Sequence, residues 1–248
     1  MKRILPLALC AALLTLCLSG CVVIDVGSLY EGTGVTGKGN LERYDIAVDE
    51  FSAIKVRGYC DIRYYAGSSD AVTLEIQSNL REHYVVEVVA GELIIRTTSR
   101  INYNTGKTPI LTVSAPTLTR LALEGAGAFT AYDPIVADSF ALDISGAGTG
   151  KAELEVGRVT VDMSGAGSFT LSGTADAADF SMSGVGELDA MPLQTREAKV
   201  SLAGMGSVKL SCSESLRINA DGMGSIQYKG SPSVDIHRSG MVGITRVD

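Results

Sequence analysis

The chain is 248 residues long, with 28 acidic against 21 basic side chains, a formal net charge of −7 and only two histidines. That acidity argues against a nucleic-acid partner and against docking on an anionic membrane surface. Trp is absent and aromatic residues make up 6% of the chain, so an aromatic-lined sugar cleft is not evident; glycine is frequent at 28 residues, and its placement carries the information.

The N-terminus reads as an export signal. Lys2 and Arg3 precede an apolar run from Ile4 to Leu18, broken only by Pro6 and Thr15, and the small residues Ser19 and Gly20 lead to Cys21. Charge, short apolar core and small residues in that order form the secretory layout, and the core is short for a transmembrane helix. Leu18-Ser19-Gly20-Cys21 resembles the bacterial lipobox. The resemblance implies cleavage between Gly20 and Cys21 and a lipid-bearing Cys21 that anchors the protein to a membrane. Val22, rather than Asp, after the cysteine implies sorting to the outer membrane. Three acyl chains would hold durably, because each buried methylene contributes about 0.8 kcal/mol.

Residues 21–40 read as a lipidated start followed by a Gly-rich tether, and residues 41–248 as the folded head. Gly32, Gly34 and Gly37 match G-x-G-x-x-G by letter, but the motif precedes a strand and no helix follows, so it is not a dinucleotide site. Cys10 and Cys17 leave with the signal. Cys60 and Cys212 remain at opposite ends of the repeats described below, and a disulfide tolerates Cα atoms at most ~7 Å apart. They read as two buried free thiols.

From Tyr44 apolar and polar residues alternate with a period of two. Ile54-Lys-Val56, Val72-Thr-Leu74-Glu-Ile76, Val86-Glu-Val88 and Leu93-Ile-Ile95 are strand-like, with a helical turn expected only within Asn79–Tyr84. A unit then recurs: apolar-polar-apolar-small-Gly-x-Gly-polar-apolar-polar-apolar. Its glycine pairs are Gly125/Gly127, Gly146/Gly148, Gly165/Gly167, Gly184/Gly186, Gly204/Gly206 and Gly222/Gly224, with a degraded seventh copy at Gly240. The leading glycines lie 18 to 21 residues apart. Strands on both sides of a repeated turn at that period predict an all-β, right-handed parallel β-helix, each coil burying its apolar residues on the next. Ile144, Met163, Met182 and Leu202 should point inward, and Asp143, Asp162, Ser181 and Ser201 outward. Both glycines of each pair are expected to be turn residues, supplying positive φ or room for close coil approach. The last coil, where Arg238 stands in the place of Ala220, reads as a cap.

These residues resemble the family described as putative auto-transporter adhesin, head GIN domain. The resemblance runs from Phe51-Ser-Ala-Ile54-Lys-Val56-Arg-Gly58 through Val113-Ser-Ala-Pro116-Thr-Leu118 and the Ser-Gly-x-Gly series to Tyr228-Lys-Gly230-Ser-Pro232. It implies a β-helical cell-envelope domain without assigned catalytic residues.

Catalytic chemistry is thinly represented. His83 and His237 lack ligands at helical spacing, and no G-x-S-x-G elbow occurs. No cofactor is implied. Asp143 and Asp162 occupy equivalent places in adjacent coils and are the one metal candidate, for Ca²⁺; screening by Lys151 or Arg158 is the simpler expectation. Tyr59, Tyr64, Tyr65, Tyr84 and Tyr103 concentrate in the first half, while the repeats hold Tyr132 and Tyr228; the clustered tyrosines are expected to pack half-buried against the first coils. The expected role is a non-catalytic envelope lipoprotein that offers its coil faces to a protein or glycan ligand. The alternative is a β-helical polysaccharide lyase or hydrolase using Asp143 and Asp162.

Overall fold

The computed structural model describes residues 34–103 and 106–248. The signal peptide, the Gly20–Cys21 cleavage site and the first part of the tether lie outside the described residues. The compact unit spans Val35–Asp248.

The first strands are β1 (Val35–Thr36), β2 (Leu41–Ile46), β3 (Ala53–Arg57), β4 (Asp61–Ala66) and β5 (Ala71–Gln77). A 3-10 turn at Ser78–His83 buries Leu80 and matches the one helical turn expected. Then come β6 (Tyr84–Val89), β7 (Glu92–Thr97), β8 (Ile101–Asn102), β9 (Ile110–Ala115), β10 (Arg120–Leu123) and β11 (Ala126–Ala131). The repeats follow as β12 (Ile135–Ile144), β13 (Ala147–Met163), β14 (Ala166–Met182), β15 (Val185–Leu202) and β16 (Met205–Ala220). The chain closes with β17 (Met223–Lys229), β18 (Ser233–Arg238) and β19 (Met241–Val247).

These strands stack as a parallel β-solenoid. One sheet collects the strands that lead into each Gly-x-Gly, a second those that leave it. A shorter third side joins Ile135, Leu154, Gly173 and Leu193 in register. On the first sheet Leu121, Leu142, Val161, Phe180, Val200 and Ile218 form one inward ladder, all nearly inaccessible to solvent. Each such side chain contributes about 1.5–3 kcal/mol when fully buried. Ile144, Met163, Met182 and Leu202 form the next ladder, as their alternation with polar neighbours predicts.

At the N-terminal end, spatial order departs from chain order. β3 pairs in parallel with β7 on one side and β10 on the other, and β4 lies likewise between β9 and β11. The coil 53–66 is therefore inserted between coils made later in the chain. The outer coil is covered by antiparallel strands: β5 on β9, β2 on β5, and β6 on β7. Reversing direction there prevents another parallel coil from continuing the stack, which is what a solenoid cap must do.

Six residues expected in the tether belong to the head. Val35–Thr36 pairs with Ile101–Asn102, and Lys107 Nζ donates to Gly39 O and Asn40 Oδ1, both at 2.8 Å. Asn79 Nδ2 donates to Thr36 O at 2.9 Å. The folded boundary thus falls at Val35 rather than 41.

The two glycines of each pair do different work, which corrects the expectation that both are turn residues. The bend falls on the leading members, Gly125, Gly146, Gly165, Gly184, Gly204 and Gly222. Gly148, Gly167, Gly186 and Gly206 are strand residues instead, the second positions of β13, β14, β15 and β16, and they pair with one another in register from coil to coil. The reason is that cross-coil hydrogen bonding resumes at once after the bend: Ala147 N donates to Gly125 O and Ala166 N to Gly146 O, both at 2.9 Å. Among the second members only Gly127 (φ 150°) and Gly224 (φ 137°), themselves in β11 and β17, use left-handed backbone. Gly148, Gly167, Gly186 and Gly206 serve close approach, since a Cβ on any of the last three would run into the carbonyl oxygen of its partner in the preceding coil, and one on Gly148 into Leu123 Cδ1. The leading glycines are needed for proximity as well. A Cβ on Gly165 would sit 2.0 Å from Gly146 O, and one on Gly184 would sit 1.9 Å from Gly165 O. Cys60 and Cys212 are both free and buried, as expected.

Candidate functional site

Coil length changes along the stack, and the change shapes the surface. The step from Gly184 to Gly204 is 20 residues and that from Gly204 to Gly222 is 18. The surplus cannot be absorbed in the two sheets, whose register is continuous, so it bulges on the third side. Register shifts fall between Thr170 and Gly173 on β14, and between Ala190 and Gln194 and again between Thr195 and Glu197 on β15. Met191-Pro192 lies in the bulge, and a groove of about 830 Å³ opens beside it across several coils.

Local hydrogen bonds fix the groove walls. Ser211 Oγ donates to Met191 O and Thr195 Oγ1 to Ser211 O, both at 2.6 Å. The single S–H of Cys212 has two acceptors in reach, the carbonyls of Arg196 and Ser215 at 3.2 and 3.1 Å from Sγ. Arg196 Nε reaches Glu214 Oε1 at 2.9 Å, and its Nη1 lies 3.8 Å from Asp176 Oδ1. The Glu214 hydrogen bond, reinforced by the charges of Glu214 and Asp176, raises the Arg196 pKa further above its ordinary value. Glu155, Gln194 and Lys229 complete a lining of mixed charge without an aromatic ring. Sequence reasoning misses this site. The uneven glycine spacing is the signal that could have pointed to it.

Asp143 and Asp162 do stand in register on adjacent coils, but they do not form a cation site. Arg120 Nε meets Asp143 Oδ2 at 2.7 Å, so the counter-charge comes from the preceding coil and not from Lys151 or Arg158. Arg120 Nη1 also contacts Glu92 Oε1 at 3.2 Å, and Glu92 in turn holds Lys55 at 2.7 Å. Beyond it Glu124 pairs with Arg57 at 2.8 Å. The outer face of the first coils thus carries alternating charges in mutual contact. Among the described residues no group of three His, Cys, Asp or Glu is placed to hold a metal ion. His83 lies beside Glu82 on the cap and His237 is exposed on β18; neither lines the groove.

The tyrosines divide into two sets. Tyr64 and Tyr84 are fully buried, deeper than the half-burial expected. Tyr84 Oη donates to Tyr59 O at 2.9 Å and lies 3.2 Å from Tyr103 Oη, while the Tyr59 and Tyr103 rings meet edge to face at 4.6 Å. Burial is the main cause that pushes the phenols of Tyr64 and Tyr84 and the thiol of Cys60 above their ordinary pKa values. Tyr65 and Tyr132, in contrast, are exposed and stack in parallel at 4.8 Å, the spacing of adjacent coils.

No helix among the described residues is long and apolar enough to cross a membrane. Among curated proteins none matches the chain. Three crystal structures share its fold. A putative adhesin from Bacteroides fragilis is 24% identical, covers 86% of this chain and 100% of its own, and superposes with a TM-score of 0.82. A putative lipid binding protein from Parabacteroides distasonis is 23% identical, covers 86% and 99%, and gives 0.64. A putative adhesin from Parabacteroides merdae is 21% identical, covers 88% and 100%, and gives 0.60. At these identities the likeness is one of fold. The family model described as putative auto-transporter adhesin, head GIN domain, matches residues 50–232, which takes in the inserted first coil, the cap strands β5 and β6 and the coils through β17. The chain belongs to that family.

Proposed function

We propose that the protein is a non-catalytic cell-envelope lipoprotein, anchored through Cys21 at the outer membrane, whose solenoid presents a binding surface to an adhesive or envelope partner. The observation that carries the reading is the groove at the coil-length change, where Arg196, Lys229 and Gln194 line a cleft open across several coils. Its lining of mixed charges and backbone-anchoring hydroxyls, without aromatic rings, favours an extended protein segment over a sugar chain, which would use ring stacking. The family description and the fold shared with two putative adhesins support a binding role. Little supports the lyase-like alternative, since neither Asp143 nor Asp162 lines the groove.

Thr174→Arg, at an exposed groove position, tests the binding reading in the full chain. Binding on peptide and glycan arrays should fall at least tenfold in the variant, chiefly on the peptide array, while its melting curve stays unchanged. Equal binding by both chains would refute the groove, and release of reducing sugar ends from a glycan would refute the non-catalytic reading. Metabolic labelling with palmitate, lost on Cys21→Ser, tests the anchor separately.

A further inference from the structure

The residue that follows each leading glycine of the repeat, from Gly125 to Gly240, points away from the core, and the coil register aligns these seven residues into one ridge. Ala126, Ala147, Ala166, Val185, Met205, Met223 and Met241 follow one another in register on the second sheet. All are apolar, and all are exposed except Ala126, which is half-buried beside Tyr59. Val185 is 53% exposed, Met205 48%, Met223 43% and Met241 76%. At ~4.8 Å per coil the ridge is about 29 Å long. A contiguous apolar line of that length on an acidic protein marks an interaction surface rather than scattered surface hydrophobes.

The size of the side chains is ordered along it. Three alanines occupy one half, three methionines the other, and Val185 is the midpoint. Tyr59, bridged to Ala126 and backed by Tyr103, closes the alanine end. A ridge graded from small to large is complementary to itself when reversed. A two-fold axis through Val185 sets Ala166 against Met205 of a second copy, Ala147 against Met223 and Ala126 against Met241. Each methionine then fills the hollow left by an alanine, and Val185 meets its own counterpart. Isologous contacts require this self-complementarity, and flexible methionine side chains suit such filling.

The flanks agree. Preceding the leading glycines stand Glu124, Ser145, Ser164, Ser183, Ala203, Asp221 and Ser239. In the same two-fold arrangement Glu124 faces Ser239, and Asp221 faces Ser145, so no acid opposes an acid. On the other flank Glu187 faces itself, but Lys209 neutralises it at 2.6 Å. The reverse choice, two ridges side by side in the same direction, would crowd methionine on methionine and leave the alanines apart.

We infer that the ridge is a homodimer seam in which two copies pack antiparallel about Val185. The contact is one side chain wide, below the ~800 Å² per partner of a standard interface, so the dimer is a weak one that forms at high local concentration. The inference stands on the ridge and is independent of the groove.

Cross-linking of the full chain reads the seam directly. Facing sheets lie ~10 Å apart, beyond disulfide reach, so a short bis-maleimide is the suitable reagent. Val185→Cys should cross-link to itself, and Ala126→Cys should cross-link to Met241→Cys only when the two are mixed. Val136→Cys, exposed on another side, sets the background together with the unsubstituted chain. Sedimentation supplies the second measurement. Ala147→Met should weaken dimerisation at least tenfold, as should Met223→Ser, although the first makes the ridge more apolar. Dimerisation strengthened by Ala147→Met would reveal unspecific adhesion and overturn the seam. So would Ala126→Cys cross-linking to itself, or Val185→Cys yielding no more dimer than Val136→Cys.

Discussion

The ring of Phe169 fills the space that a side chain on Gly150 would need. The two residues are register partners on adjacent coils, and a Cβ on Gly150 would lie 2.5 Å from Phe169 Cε1. Phe129 flanks the same glycine from the other coil with its backbone, whose carbonyl oxygen would lie 2.9 Å from that Cβ. Gly150→Ala should therefore lower stability by about 1–3 kcal/mol, the usual cost of overfilling a packed core. Phe169→Leu alone should also destabilise, but the double variant should be more stable than the sum of the two losses predicts. Urea denaturation midpoints of the four chains would show it. Strict additivity would mean that the ring and the glycine are not coupled.

Gly165 presents a harder limit, since its neighbour is backbone. The carbonyl oxygen of Gly146 would stand 2.0 Å from the new Cβ, and the carbonyl carbon of Ser145 2.7 Å. No rotamer change relieves that contact, and parting the coils breaks the ladder on both sides. Gly165→Ala should cost more than about 4 kcal/mol and yield little soluble protein. Gly91→Ala is the matched comparison. Gly91 has φ 76° but nothing within 4 Å of its Cβ position, so only the backbone penalty of about 1–2 kcal/mol applies. Similar thermal shifts for the two variants would contradict the proximity argument.

The solenoid itself was legible because glycine spacing and period-two alternation are local properties. The division of labour within each glycine pair was not, since Gly146 and Gly148 look alike by letter and only the cross-coil bonds show that the bend ends before Gly148. Stack order is not local either. Ile54-Lys-Val56, Leu93-Ile-Ile95 and Leu121-Ala-Leu123 all carry large apolar residues two apart, and nothing in that spacing says that Ile54 lies between Leu93 and Leu121. The order depends on where the chain turns back, which it does through the antiparallel strands β5 and β6. Asp143 shows the same divide: its outward position and its pairing with Asp162 follow from the repeat, but Arg120 belongs to a coil whose place the repeat alone does not set. The groove was readable in principle. The 20-residue step at Gly184–Gly204 beside an 18-residue step requires a bulge, and the sheets leave only the third side to receive it. The insertion yields a direct expectation: Ile54→Ala, which removes contacts to coils on both sides, should cost about 2–5 kcal/mol in thermal or urea unfolding.

Calcium should have no hold on Asp143 and Asp162. Arg120 already supplies the positive charge that a ladder of two carboxylates needs, and both partners of the pair are more than a third exposed. Solvent screening then limits the pair to about 0.2–1 kcal/mol. Asp143→Asn should shift stability by no more than that, and millimolar calcium should leave the melting temperature of either chain in place. A calcium-dependent rise that disappears in Asp143→Asn would overturn this account.

Alkali should weaken the capped end of the solenoid first, since Cys60, Tyr64 and Tyr84 are buried there. Burial lifts all three above their ordinary values of 9.0 for the thiol and 10.0 for the phenols. The folded chain therefore keeps protons that the unfolded chain releases. Their contribution to stability is complete below pH 9 and declines as pH rises past the thiol value and then the phenol value. Each retained proton adds about 1.4 kcal/mol of loss per pH unit in that range. Tyr84→Phe should sacrifice about 1 kcal/mol near neutral pH, because the hydrogen bond to Tyr59 O disappears. Above about pH 10 the same variant should lose stability less steeply than the parent chain, so that the two curves converge. Urea midpoints taken from about pH 8 to about pH 11 would reveal the convergence. Parallel curves would show that the Tyr84 proton is not among those the fold retains.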